Sequence, residues 1–61
     1  MSNITGSGDL GIYIRSLRDR AATVRRLARD IKNEETVRSL NRHADELDRK
    51  AKELEDKISA L

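Results

Sequence analysis

RDIKNEETV, running from Arg29 to Val37, joins two apolar rhythms that do not share a phase. Upstream, Leu10, Ile14, Leu17, Ala21, Val24, Ala28 and Ile31 follow one another in alternating steps of four and three, the spacing of a heptad seam on a helix. Downstream, Val37, Leu40, Ala44, Leu47, Ala51, Leu54, Ile58 and Leu61 keep the same beat. Had the first seam continued, its next member would be Glu35; the second seam starts two residues later. At about 100° per residue, that slip carries the stripe to the opposite side of a continuous helix. One straight helix could not bury both stripes against one partner, so the chain must turn.

The stretch itself supplies the turn without glycine or proline. Asn33 is a good helix N-cap, and Glu34 and Glu35 place negative charge at the positive end of the second helix dipole. Lys32 suits the C-terminal end of the first helix. The expected fold is all-α: a flexible tail over residues 1–8, then an antiparallel αα-hairpin over about 9–61. Its first helix covers about 9–32, its turn about 32–34 and its second helix about 34–60. The same break would act as a hinge if the helices opened into a rod and paired between chains.

Folding the chain about Glu34 yields a register. Ile31 lies with Val37, Ala28 with Leu40, Val24 with Ala44, Ala21 with Leu47, Leu17 with Ala51, Ile14 with Leu54 and Leu10 with Ile58. Every alanine of the seam faces a larger aliphatic, so two helices can approach closely while filling the space between them. These residues form the expected hairpin core.

The two edges of the seam differ in chemistry. On one edge the first helix offers Arg18, Arg25 and Lys32 and the second offers Asn41, Asp48 and Glu55, rows of opposite sign that meet when the helices run antiparallel. On the other edge lie Tyr13, Arg20 and Leu27, facing Thr36, His43, Lys50 and Lys57. Two helices alone leave the seam open on one side, and a chain of 61 residues rarely draws more than about 3–5 kcal/mol from its own core. The expectation is therefore a homo-oligomer, with a dimer favoured. It would pack Tyr13, Leu27 and His43 against a second copy to make a four-helix bundle.

Composition narrows the functions open to such a hairpin. Cysteine, proline, tryptophan and phenylalanine are absent, which removes disulfide and thiol chemistry and most of the aromatic stacking used on single-stranded nucleic acid. No apolar run approaches the length of a membrane span and no export signal opens the chain, so a cytoplasmic protein with no membrane partner is expected. Charged residues make up 39% of the sequence and leave a formal net charge of +2. That near balance is typical of a solvated helical surface.

Three motifs invite a functional reading. GSGDLG, from Gly6 to Gly11, matches the glycine spacing of dinucleotide-binding turns, but neither a strand before it nor a strand after the following helix is available to build the phosphate site. It reads instead as tail, with Ser7 or Asp9 capping the first helix and Gly11 weakening its first turn. His43 has only Glu46 as a further ligand candidate within one helical turn, too few for a metal, and reads as a half-buried residue facing Leu27. Arg15, Arg18, Arg25, Arg26, Arg29 and Lys32 give the first helix a basic face that can neutralise phosphates, although Asp19 and Asp30 interrupt it. Tyr13, between Ile12 and Ile14, widens the apolar arc beyond what the seam needs.

The stretch RAATVRRLARDIKNEETVRSLNRHADELDRKAKELE resembles short helical-hairpin proteins of alphaproteobacteria. These pair an Ala/Leu helix with a turn similar to N-E-E and a second helix of A-x-x-L rhythm, here ADEL and AKEL. The likeness covers roughly residues 20 to 55 and implies a hairpin; it implies no activity or site. No catalytic activity and no cofactor are expected. The function read from the sequence is a small structural or protein-binding module that self-associates through helix packing. The alternative is a nucleic-acid-associated accessory protein using the basic face.

Overall fold

The computed structural model describes residues 6–60. Two helices account for nearly all of them: α1, Gly6–Arg29, and α2, Glu34–Ala60, joined by residues 30–33. They pack against each other antiparallel along their length, forming a helical hairpin. Residues 1–5 and Leu61 lie outside the described residues, and with them most of the expected N-terminal tail and the last member of the second seam.

Both ends of α1 correct the sequence reading. The helix begins at Gly6 rather than near residue 9, so Gly6–Gly8 are helical and Ser7 and Asp9 sit within the first turn instead of ahead of it. Glycine costs a helix about 0.5–1 kcal/mol relative to alanine, yet no proline interrupts this segment. Extending upstream gives the N–H groups of Leu10 and its neighbours carbonyl partners four residues back. Asp9 still complements the positive end of the dipole from the first turn. Gly11 consequently lies in the second turn.

At its other end α1 stops at Arg29, not at 32. Asp30 donates its N–H to the Leu27 carbonyl at 3.1 Å and Ile31 donates to Ala28 at 3.3 Å. These tighter i→i−3 bonds close the last turn. Lys32 therefore stands in the connection, and Arg26 and Arg29 occupy the negative end of the dipole. Asn33 caps α2: its Oδ1 accepts the Thr36 N–H at 2.9 Å and its carbonyl accepts the Val37 N–H at 3.0 Å. No described residue has a positive φ. A connection built wholly from ordinary backbone conformations has no need of glycine.

The core is the seam. Ile14, Leu17, Ala21, Ala28, Ala44 and Ala51 are buried, while Leu10, Val24, Ile31, Val37, Leu40, Leu47, Leu54 and Ile58 are half-buried. Only alanines reach zero exposure: Ala21, Ala44 and Ala51. Away from the turn, Ile14, Leu17 and Ala51 form one apolar cluster with Leu10, Leu47, Leu54 and Ile58 packed around it. Ile31 reaches the seam from outside the helix, which is why the apolar rhythm runs past the helical end.

Overall dimensions explain the incomplete burial. The Cα trace fills a slab of 45 × 26 × 10 Å, one helix thick. Larger aliphatics between two helices in a single layer keep part of their surface in solvent unless a neighbour covers that layer.

Candidate interaction surface

One edge of the seam is closed by ion pairs. The Arg25 guanidinium donates from Nη1 to Asp48 Oδ2 at 2.7 Å and from Nη2 to Asp45 Oδ1 at 2.8 Å. Arg18 donates to the Glu55 carboxylate and lies 4.0 Å from Asp48 Oδ1. The fork of Arg25 thus spans two acidic residues three positions apart, on successive turns of α2. Hydrogen bonding to Asp48, then to Asp45, raises the Arg25 pKa further above its ordinary value. Such a shift contributes stability below the ordinary guanidinium range as long as the two carboxylates are ionised, and is lost as the guanidinium deprotonates in strong alkali. The heptad positions anticipate Asp48 and Glu55 as partners. Asp45 was not anticipated, because reaching it depends on the length and splay of the arginine fork.

The opposite edge has no such cover. Tyr13 is 44% exposed, Leu27 is 55% exposed and His43 is exposed as well, so the expected half-burial of His43 against Leu27 is not what the hairpin provides. A single layer offers nothing above that edge to bury it. Ile12, which the sequence marks only as part of a widened arc, is 72% exposed and is the most exposed of the large apolar residues described. Two adjacent apolar residues that cannot both point into a seam were the available signal. Between Ile12 and Val24 runs a shallow groove of about 510 Å³, lined also by Arg15, Ser16, Asp19, Arg20, Thr23 and His43.

The basic face is divided by the fold. Arg18 and Arg25 are committed to the acidic residues of α2, whereas Arg15, Arg26, Arg29 and Lys32 are exposed. The glycine motif is helical throughout and no strand stands beside it among the described residues, so the strand–turn–helix unit of a dinucleotide site is not formed. No described polar or charged residue is buried, and no described cluster of three His, Cys, Asp or Glu side chains is placed to hold a metal ion. No described helix is long and apolar enough to cross a membrane.

Comparison with known proteins returns no matching family model, no matching curated protein and no matching solved structure.

Proposed function

We propose that this chain is a small protein-binding module that self-associates by packing the open edge of its hairpin, carrying Tyr13, Leu27 and His43, against another helical pair. The observation behind this reading is the asymmetry of the seam. One edge is sealed within the chain by four ion-pair contacts, and the other leaves three large apolar side chains in solvent beside half-buried seam residues. Covering that edge with a second pair of helices makes a four-helix bundle and completes the burial of Val24, Leu47 and Leu54. No catalytic role is part of the proposal.

Sedimentation equilibrium tests it directly. The purified chain is expected to form a dimer whose affinity changes little between low and high salt, because its anchors are apolar. Leu27→Glu is expected to yield monomers that keep their helical circular dichroism. An unchanged mass for Leu27→Glu would place the association elsewhere on the molecule.

The second reading, a nucleic-acid-associated accessory protein, draws on the exposed cations Arg15, Arg26, Arg29 and Lys32. Loss of Arg18 and Arg25 to internal ion pairs weakens it. A complex with duplex DNA or RNA would dissociate steeply as salt rises, the opposite of the behaviour expected for the dimer.

A further inference from the structure

We infer that the second copy sits on the open edge about a two-fold axis perpendicular to the helices, with each α1 antiparallel to its partner's α1 and the two turns at opposite ends. The inference rests on the self-association reading and specifies its partner, register and charge pairing.

Six residues of the outward face of α1 run Ile12, Ser16, Asp19, Arg20, Thr23 and Leu27, and Arg15 and Val24 line the groove beside them. The six are spaced alike from either end and match in chemistry, apolar, hydroxyl, charged, charged, hydroxyl, apolar, while Arg15 and Val24 reflect onto each other as an unlike pair. An isologous antiparallel contact requires that property, since each residue must suit the residue reflected through the axis. With the axis between Asp19 and Arg20, Ile12 meets the partner's Leu27, Ser16 meets the partner's Thr23, and Asp19 meets the partner's Arg20. The small hydroxyl residues allow close approach, and Ile12, Leu27 and the neighbouring Tyr13 supply the apolar anchors at each end. These three are the exposed large apolar residues of the described chain.

Helix α2 carries a second symmetric stripe: Ser39, His43, Glu46, Lys50, Glu53, Lys57. Its centre is Asp48. Reflection there sets Glu46 against the partner's Lys50 and His43 against the partner's Glu53, pairs of complementary character. In the hairpin, Asp48 stands at the height of the α1 centre, because it lies within reach of Arg18 on one side and binds Arg25 on the other. Two stripes on different helices therefore share one axis. The competing face-to-face arrangement puts the axis along the helices and both turns at one end. It brings Arg20 opposite the partner's Lys50 and Tyr13 opposite the partner's Lys57, gathering cations at the interface, where like charges oppose association.

The chain has no cysteine, so single cysteines report without background. Spin labels on Lys32→Cys, in the exposed connection, are expected on the order of 40 Å apart in the dimer, from the 1.5 Å helical rise on each side of the axis. The same-end arrangement would place them within about 20 Å. Charge exchange gives an independent reading. Arg20→Glu faces Asp19 with a like charge and is expected to weaken the dimer about tenfold, whereas Asp19→Lys combined with Arg20→Glu should restore it. A dimer with close labels, or a double variant as weak as Arg20→Glu alone, overturns this two-fold and leaves self-association standing. A monomer at every concentration overturns both.

Discussion

The two edges of this hairpin are built from the same helices at the same spacing, yet one is closed and the other open. On the closed edge, long cations reach across to carboxylates that lie beside the seam, and Arg18 and Arg25 cover it with their own side chains. On the open edge the corresponding positions hold Tyr13 and Leu27, whose only favourable neighbours are apolar surfaces that a lone hairpin cannot bring to them. A polar edge can be satisfied within one chain, and an apolar edge beside a two-helix seam asks for another. Exposed ion pairs contribute little energy, so the closed edge selects the antiparallel register more than it stabilises it.

The contrast depends on the distance between the helices, so the largest effect should come from changing that distance. Ala21 has no exposure, and the register read from the sequence sets it opposite Leu47. Ala21→Leu is expected to force the helices apart and cost about 1–3 kcal/mol in a denaturant melt, pulling the arginine forks away from their acids as well. A variant as stable as the parent would mean that the layers pair otherwise. Next in size is a gain. A methyl group added at Gly11, on the exposed surface of α1 towards the closed edge, meets nothing within 4 Å. Gly11→Ala should raise the melting temperature, stabilising the helix by about 0.5–1 kcal/mol without altering the dimer constant. The smallest effect belongs to the closed edge itself. Glu55→Gln removes an exposed partner of Arg18 and should cost about 0.2–1 kcal/mol at low salt, vanishing in molar salt. A larger loss that persisted in salt would show that this edge carries stability as well as register.

Much of this architecture is legible in the residues. The slip between the two apolar rhythms locates the turn, and the opposite signs of Arg18 and Arg25 against Asp48 and Glu55 anticipate the closed edge. Helix limits were less legible, for identifiable reasons. Ile31 continues the seam from outside α1, so periodicity alone extends the helix past Arg29. Gly6–Gly8 have a composition that suggests a tail, yet they follow a backbone ladder that no proline interrupts. The exposure of His43 was hidden as well, because heptad position tells which edge a residue joins but not whether anything lies above that edge.

The three alanines at zero exposure have an evolutionary consequence. A glycine in their place would loosen the helix, and any larger side chain would wedge the pair apart. Ile14, Leu17 and Ala28 are buried as well, and the other described positions keep more contact with solvent, where a wider range of residues is acceptable. The freedom of this sequence to drift while keeping its shape is therefore limited by six buried side chains, and most tightly by three methyl groups, those of Ala21, Ala44 and Ala51.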